Sequence, residues 1–236
     1  MLRCAWKSGW LVTEWAVQNL KACAKNIQMD IAIIDYGIGN LRSAEKAFQH
    51  LGFDAQLTQK PADLANAKKI VLPGVGAFGR CMSGLRAGGF VDPLLKAVEK
   101  GTPLLGICVG LQMLFERSEE SPEEKGLGLL KGSVVKFKGP AFEGSEALKI
   151  PQIGWNSLTF PSKVHPLFAG TLPGQHVYFV HSYHTQPVDE SQVLAWSEYG
   201  QRFCCAAGRG NIAGVQFHPE KSQHVGLNIL KNFGKQ

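Results

Sequence analysis

The fold is indicated most strongly by the stretch Gly106-Ile107-Cys108-Val109-Gly110. This stretch follows the apolar run Pro103-Leu104-Leu105 and precedes the helical pattern Leu111–Phe115. An apolar run, a Gly-x-Cys-x-Gly turn and a helix are typical of a nucleophile elbow, here with cysteine in the serine position. The N–H groups and the dipole of a helix N-terminus favour a thiolate there. The stretch predicts an α/β fold with Cys108 as nucleophile; the alternative is a buried structural cysteine.

A second motif, near the C-terminus, supplies a base and a carboxylate. The segment Ile212–Phe217 looks like a strand, and His218, Pro219 and Glu220 follow it. Residues two apart in an extended segment point to the same side, so we expect Glu220 to reach the His218 imidazole and fix its tautomer. Together with Cys108 these residues predict a catalytic triad. Taken singly, His218 is explained equally well as a structural histidine and Glu220 as a solvated carboxylate.

A glycine-rich loop, Pro73–Gly79, follows another apolar run. Its glycines fit the dinucleotide-binding pattern G-x-G-x-x-G, namely Gly74, Gly76 and Gly79. A dinucleotide site needs an acidic residue at the end of the next strand, but the predicted strand Pro103–Ile107 ends in Cys108 instead. We therefore expect the loop to hold an oxyanion, with the N–H groups of Val75 and Val109 as donors.

Several segments, taken together, resemble the class I glutamine amidotransferases over about residues 29 to 236. They are Ile34–Asn40, Pro73–Phe78, Gly106–Cys108, Lys125–Leu129, Pro151–Asn156, Tyr178–His184 and His218–Glu220. Within that family the Pro-Gly-Val-Gly-Ala-Phe, Gly-Trp-Asn and Tyr-Phe-Val-His-Ser-Tyr segments are similar to the glutaminase subunits of imidazole glycerol phosphate synthases, from histidine biosynthesis. Relatives that serve guanylate or anthranilate synthesis usually carry Pro-Gly-Gly at the oxyanion loop.

The resemblance implies hydrolysis of glutamine to glutamate and ammonia. Cys108 would attack the side-chain amide, His218 would protonate the leaving ammonia and then activate water against the thioester, and Glu220 would orient His218. The implied substrate-binding residues are Gly76, Gln112, Glu120, Ser182 and Tyr183. Gln112 lies one helical turn beyond Cys108. Without the resemblance, Glu119 and Glu120 would be taken for a solvated charge run.

We expect neither a metal nor a cofactor. His181 and His184 are the residues that could suggest a metal site. No Cys-x-x-Cys or His-Glu-x-x-His motif accompanies them, so the sequence does not favour one.

The resemblance also implies a partner, a cyclase subunit with a TIM-type barrel, in a heterodimer. That partner would use the ammonia to form imidazole glycerol phosphate and an aminoimidazole carboxamide ribotide. A shielded passage is physically useful, because ammonia in neutral water is mostly protonated. The expected interface residues are Asn40, Trp155, Asn156, Tyr178 and His181. Exposed Trp and Tyr are favoured anchors, although core packing explains Trp155 equally well. We further expect the Val75 N–H to face the pocket only when the partner is loaded.

Composition agrees with one enzyme-sized α/β domain. The chain has 236 residues, of which 44% are hydrophobic, and a net charge of +6. No Lys/Arg stripe with interleaved aromatics suggests nucleic-acid binding, and no apolar run reaches the ~18 residues of a membrane span. Six cysteines without framework spacing indicate reduced thiols, and hence the cytoplasm. Cys81 is the one rival nucleophile, and it lacks the elbow.

The predicted organisation is a single amidotransferase domain over residues 29–236, with an open, mostly parallel central sheet and flanking helices. Residues 1–28 are expected to be a poorly packed extension, or to precede a true start at Met29. Leu127–Phe137 and Ala147–Asn156 are predicted to be antiparallel strands, and a closing helix is expected after Pro219. Alternative functions are a stand-alone cysteine hydrolase or peptidase of the same fold, a glutaminase for another synthase, and a non-catalytic binding protein.

Overall fold

The computed structural model describes residues 29–236, and the predicted extension over residues 1–28 lies outside the described residues. The strands are β1 Ile31–Ile34, β2 Ala55–Thr58, β3 Lys69–Gly74, β4 Leu104–Cys108, β5 Arg117–Ser118, β6 Gly132–Lys136, β7 Gln152–Ser157, β8 His176–His181, β9 Tyr183–Pro187, β10 Val193–Glu198, β11 Arg202–Arg209 and β12 Ile212–Val215. The α-helices are α1 Leu41–His50, α2 Phe78–Ala87, α3 Val91–Glu99, α4 Val109–Met113 and α5 Gln223–Lys235. Short 3₁₀ turns include Pro219–Lys221.

The central sheet has a parallel half and an antiparallel half. Strands β2, β1, β3, β4 and β12 lie side by side in that order, all parallel. Beyond β12 the sheet continues through β11, β9 and β6 with antiparallel pairing, and β5 runs parallel to β6 at the edge. The predicted α/β fold with flanking helices is confirmed, and the parallel strands form the half that bears the elbow.

The parallel strands are buried on both faces. Every residue of β1 and of β4 is buried, which is the pattern expected where helices cover a sheet from both sides. On one face, α1 and α5 meet through Phe48 and Phe233, whose ring centroids lie 6.2 Å apart. The β3–β4 and β4–β12 ladders place the carboxyl ends of these strands next to one another, where open α/β sheets place their ligands.

The prediction that Leu127–Phe137 and Ala147–Asn156 form antiparallel strands with each other is wrong. The strand within the first segment, β6, pairs with β9, whereas β7 pairs with β8 in a separate two-stranded sheet. Between them the chain folds back on itself, because Phe142 packs on Phe137 with ring centroids 5.4 Å apart. This excursion separates the two strands, so that β7 takes β8 as its partner.

No helix between residues 29 and 236 is both long enough and apolar enough to cross a membrane.

Candidate active site

Cys108 occupies a strained turn between β4 and α4. Its φ of 56° and ψ of −115° lie outside the regions that a non-glycine residue normally adopts. Glycines allow this turn to pack closely: a Cβ on Gly110 would lie 1.9 Å from the Leu72 carbonyl oxygen, and a Cβ on Gly106 2.7 Å from the Gly110 backbone. The Gly-x-Cys-x-Gly pattern therefore forms the elbow geometry, with the cysteine at its apex.

His218 and Glu220 lie beyond the end of β12 and contact each other directly. Nδ1 of His218 is 2.8 Å from Oε1 of Glu220, and the two side chains are only 3% and 2% exposed. The 3₁₀ turn Pro219–Lys221 brings them together, rather than the extended segment that the sequence suggested. Because the carboxylate accepts at Nδ1, the imidazole carries its hydrogen there and its Nε2 is left for other chemistry.

The free side of the imidazole faces the elbow. Nε2 of His218 is buried and has no hydrogen-bond partner among residues 29–236, and His218 and Cys108 line the same cavity. Burial by itself lowers the pKa of His218, but the nearby Cys108 and Glu220 side chains favour the charged ring, outweigh burial and raise this pKa well above its usual value. The arrangement therefore favours an imidazolium between the Cys108 sulfur and the Glu220 side chain.

Asn40 is a further contact of this group that the sequence did not reveal. Its Nδ2 donates to Glu220 Oε1 at 3.1 Å, and its Oδ1 accepts from the Ser43 hydroxyl at 2.9 Å. The Ser43 contact fixes the orientation of the amide, so its NH₂ group faces the carboxylate. Asn40, predicted as an interface residue, thus also steadies the carboxylate behind His218.

A cavity of about 280 Å³ opens beside Cys108. It is lined by Val75, Gly76, Cys108, Val109, Gln112, Glu120, Pro151, Val180, His181, Ser182, Tyr183 and His218. All the residues predicted to bind substrate are among them. Pro151 and Val180 were not anticipated, since no motif distinguishes an apolar lining residue from a core residue.

The adjacent residues Glu119 and Glu120 point in different directions. The Glu119 carboxylate accepts from the Lys136 N–H at 2.9 Å and lies at the exposed edge of β6. The Glu120 carboxylate accepts from the Phe78 N–H at 2.7 Å, at the first turn of α2, and borders the cavity. Only Glu120 is therefore placed to offer a negative charge to a ligand.

Two buried glutamines form a hydrogen-bonded chain to the elbow. Gln112 Nε2 lies 3.1 Å from both the Tyr183 carbonyl and Gln216 Oε1. A carbonyl oxygen can only accept, so the Gln112 NH₂ group donates to both. Gln216 then presents its own NH₂ group to Cys108 Sγ, 3.9 Å away. Gln216 was not predicted as a site residue, although a polar residue inside an apolar strand is a signal that buried hydrogen bonds are needed there.

The β3–β4 ladder sets the orientation of the oxyanion loop. Across this ladder the Ile70 N–H donates to the Pro103 carbonyl at 2.9 Å, and the pairing continues to Gly74 opposite Cys108. Because strand residues alternate sides with a period of two, the Gly74 carbonyl also points towards β4. In a trans peptide the following N–H points the other way. The Val75 N–H therefore faces away from Cys108 in this structure.

His181 does not lie at the surface, where it was expected as an interface residue. Alternate residues of β8 point inward, and the His181 ring packs against Phe137, Phe179 and Phe203 with centroid distances of 5.2, 5.5 and 5.3 Å. Burial lowers its pKa to about 3. Its Nδ1 lies 2.8 Å from the Tyr183 carbonyl, which identifies Nδ1 as the protonated nitrogen. The ring is therefore neutral and belongs to the wall of the cavity.

The small sheet carries Trp155 and Tyr178, two aromatic residues that were expected at an interface. Trp155 is 46% exposed and lies opposite Tyr178, with ring centroids 6.0 Å apart. Ile153, on the same face of β7, is 63% exposed and was not anticipated. Asn156, by contrast, donates from its side chain to the Glu198 carbonyl within the chain.

Cys81 lacks the features of a nucleophile. It is fully buried in α2, its thiol donates to the Val75 carbonyl at 3.4 Å, and burial raises its pKa. Burial also raises the pKa values of Cys204 and Cys205. No group of three or more His, Cys, Asp or Glu residues in the described range is arranged to hold a metal ion.

Comparisons with known proteins identify the family and the relatives that the chain resembles. The family described as Glutamine amidotransferase class-I matches residues 32–236. The chain is 54% identical over 204 residues to the imidazole glycerol phosphate synthase subunit HisH of Syntrophotalea carbinolica, covering 86% of this chain and 98% of that protein. It is 52% identical to the subunit of that name from Geobacter sulfurreducens, covering 87% and 98%.

Solved structures share the fold. A crystal structure of a glutamine amidotransferase aligns with a TM-score of 0.65 at 24% identity, covering 87% of this chain and 99% of that one. The PurLQS structure from Thermotoga maritima aligns with a TM-score of 0.64 at 20% identity, covering 89% and 97%.

Proposed function

The chain belongs to the class I glutamine amidotransferase family, and on that premise we infer that it is the glutaminase subunit of an imidazole glycerol phosphate synthase. One observation carries the chemistry: a histidine held by a buried carboxylate turns its free nitrogen to a cavity that also contains a cysteine at a strained elbow. This combination suits acyl transfer through a thioester.

The proposed reaction begins with attack of the Cys108 thiolate on the side-chain carbonyl carbon of glutamine. The carbonyl oxygen becomes an oxyanion, stabilised by backbone N–H groups of Val109 and Val75. The His218 imidazolium gives its Nε2 proton to the departing amine, so the C–N bond breaks, ammonia leaves and a thioester remains. Neutral His218 then takes a proton from water as the water oxygen attacks the thioester, which releases glutamate and restores the thiolate.

We propose that the cavity recognises glutamine by its α-ammonium group. The Glu120 carboxylate offers a charge partner to the α-ammonium group, and the Gln112 amide, locked by its contacts to Gln216 and Tyr183, presents its oxygen as a fixed acceptor. Ser182, Tyr183 and Gly76 border the remaining space. A cavity of about 280 Å³ has room for a free amino acid.

The proposed partner is a cyclase subunit with a TIM-type barrel, which receives the ammonia. The docking face we propose is the exposed side of β7 and β8, built on Ile153, Trp155 and Tyr178, with the Lys221 ammonium 5.9 Å from the Tyr178 ring centroid. Exposed aromatic residues of this kind are favoured interface anchors. Lys221 follows Glu220 directly, so this face adjoins the catalytic group.

We place this activity in the cytoplasm. The four cysteines within the described residues are all free thiols, and the proposed reaction itself requires a reduced Cys108.

Ammonia release from glutamine tests the proposal most directly. We expect activity from the chain mixed with a barrel cyclase and its nucleotide ligand, much less from the chain alone, and none from Cys108→Ala in any mixture. Cys204→Ala serves as the control, because it removes an equally buried thiol outside the cavity. Equal activity with and without the partner would identify a stand-alone hydrolase of the same fold. No activity in a mixture where the partner demonstrably binds would identify a binding protein.

A further inference from the structure

Two side chains donate hydrogen bonds to carbonyl groups of the oxyanion loop. The Tyr36 hydroxyl donates to the Pro73 carbonyl at 2.7 Å, and the Cys81 thiol donates to the Val75 carbonyl at 3.4 Å. Tyr36 lies in the loop after β1 and Cys81 lies in α2, so the contacts come from separate elements. Neither residue contributes to the proposed reaction chemistry.

Both donors are firmly placed. Cys81 is fully buried, and the Tyr36 ring packs against α2 so closely that a Cβ on Gly84 would lie 3.1 Å from its Cδ2 atom. The Tyr36 hydroxyl also lies 3.8 Å from Met113 Sδ. Burial raises the pKa of Tyr36 and the pKa of Cys81, so each retains the proton that it donates.

The two carbonyls that are held flank a single peptide group. Pro73 and Val75 contribute the carbonyls, and between them lies the peptide that joins Gly74 to Val75. This is the peptide whose N–H belongs to the oxyanion site in the proposed function, and the β3–β4 ladder turns that N–H away from Cys108. Gly74 lacks a Cβ, which makes rotation about its ψ angle inexpensive.

We propose that Tyr36 and Cys81 are positioning residues. Their hydrogen bonds clamp the peptides on either side of the Gly74–Val75 peptide, so that only the Gly74–Val75 peptide turns its N–H towards Cys108. The inference rests on the proposed function, because it assigns a role within the same oxyanion site. The clamp confines the movement to one peptide and delivers the N–H to a defined place. Tyr36 also ties the loop to the segment Asp35–Asn40, which includes the predicted interface residue Asn40.

The test compares Tyr36→Phe and Cys81→Ala, each of which deletes one donor while keeping most of the side-chain volume. Cys81→Ser restores a donor. The matched controls are Tyr199→Phe and Cys204→Ala, whose hydroxyl and thiol donate to the Lys149 and Ala206 carbonyls, away from the loop.

In the complex with the barrel cyclase and its nucleotide ligand, we expect kcat for glutamine hydrolysis to fall about tenfold in each donor deletion. This is less than the 10²–10³-fold lost when an oxyanion donor itself is removed, because the donor remains but is poorly placed. KM should stay within about twofold, because no contact with ground-state substrate is removed. Cys81→Ser should recover most of kcat. The double variant should lose less than the product of the single losses, since both contacts serve one peptide.

Alkylation of Cys108 by iodoacetamide, followed by mass spectrometry of its peptide, separates the clamp from a general disturbance. Alkylation passes through no oxyanion, so its rate in Tyr36→Phe and Cys81→Ala should match the wild-type rate. A parallel fall in alkylation and hydrolysis would show a damaged elbow and overturn the clamp. Unchanged or increased kcat in both variants would overturn it as well.

Amide hydrogen exchange of the segment 73–78 gives a readout that does not depend on activity. Exchange should be faster in Tyr36→Phe and Cys81→Ala than in the wild type, and unchanged in Tyr199→Phe and Cys204→Ala. Equal exchange in all variants would refute the clamp even if the wild-type protein did not hydrolyse glutamine. Wild-type inactivity would count against the proposed function alone.

Discussion

The Glu220 carboxylate lies 2.8 Å from Nδ1 of His218 and is almost fully buried with it. We predict that Glu220→Gln lowers kcat by about 10² to 10⁴-fold, because an amide offers a donor as well as an acceptor and no longer enforces one tautomer. Asn40→Ala, which removes only the neighbouring donor, should cost about tenfold or less. Steady-state ammonia release in the complex measures both. Similar losses of kcat in the two variants would contradict the larger role that we assign to Glu220.

The pKa of His218 should depend on Cys108. The nearby Cys108 side chain raises this pKa against the effect of burial, so Cys108→Ala should lower it. The wild-type imidazole then stays protonated to higher pH than the imidazole of the variant. NMR titration of the ring, with Cys204→Ala as control, measures the difference. A His218 pKa that is equal or higher in Cys108→Ala would contradict this effect of Cys108 on the imidazole.

His181 should make the folded state sensitive to acid. Its pKa in the folded state is lowered to about 3 by burial, whereas the unfolded chain takes up a proton near the ordinary value of about 6.5. Below that pH the unfolded state binds more protons, so the free energy of unfolding falls as pH drops from about 6.5 towards 3, by at most ~1.4 kcal/mol per pH unit for one proton.

Urea unfolding of the wild type and of His181→Gln between pH 4 and 7 tests this contribution. We expect a shallower pH dependence in the variant, which has no ring to protonate. His184→Gln is a useful second variant, because burial also lowers the pKa of His184. Identical slopes for the wild type and His181→Gln would contradict the buried neutral ring.

Gly110 should tolerate no side chain. A Cβ there would lie 1.9 Å from the Leu72 carbonyl oxygen, so Gly110→Ala forces β3 and α4 apart. We expect it to lower the free energy of unfolding by about 3 kcal/mol or more. Gly52→Ala is the matched control: Gly52 has a φ of +86° but open space around it, and should cost about 1–2 kcal/mol from backbone strain alone. Chemical denaturation measures both. Equal costs would show that close packing at the elbow is unimportant.

The face built on Ile153 and Trp155 should dominate binding of the partner. We predict that Trp155→Ala raises the Kd for the barrel cyclase at least about 30-fold, as expected for a central aromatic anchor, and that Ile153→Ala raises it about tenfold or less. Val188→Ala is the control, because Val188 is 77% exposed and lies outside β7 and β8. Calorimetric titration distinguishes the variants. An effect of Val188→Ala equal to that of Trp155→Ala would relocate the interface.

Much of the fold and of the site was predictable because its signals are local. The elbow at Cys108 follows from an apolar run, flanking glycines and a helical pattern that are contiguous in the chain. His218 and Glu220 lie two residues apart, so either an extended segment or a 3₁₀ turn can bring them into contact. The parallel strands are short apolar runs bounded by turns, which made β1 and β4 recognisable.

Other features follow from packing between distant segments. The predicted pairing of Leu127–Phe137 with Ala147–Asn156 failed because the choice of strand partner depends on how the intervening excursion folds, with Phe142 on Phe137. His181 was expected at the surface because its neighbours in sequence suggested an interface. The inward face of β8 places its ring in an aromatic cluster instead.

The sequence by itself determined the α/β class and indicated the proposed nucleophile, base and carboxylate, since each rests on residues close together in the chain. Tertiary structure alone decided that Asn40 reaches Glu220, that Gln216 lies beside Cys108, and that Tyr36 and Cys81 hold the carbonyls around Gly74. The physical reason is that these hydrogen bonds join segments far apart in the chain. Their partners are set by strand order and side-chain packing, which no local pattern encodes.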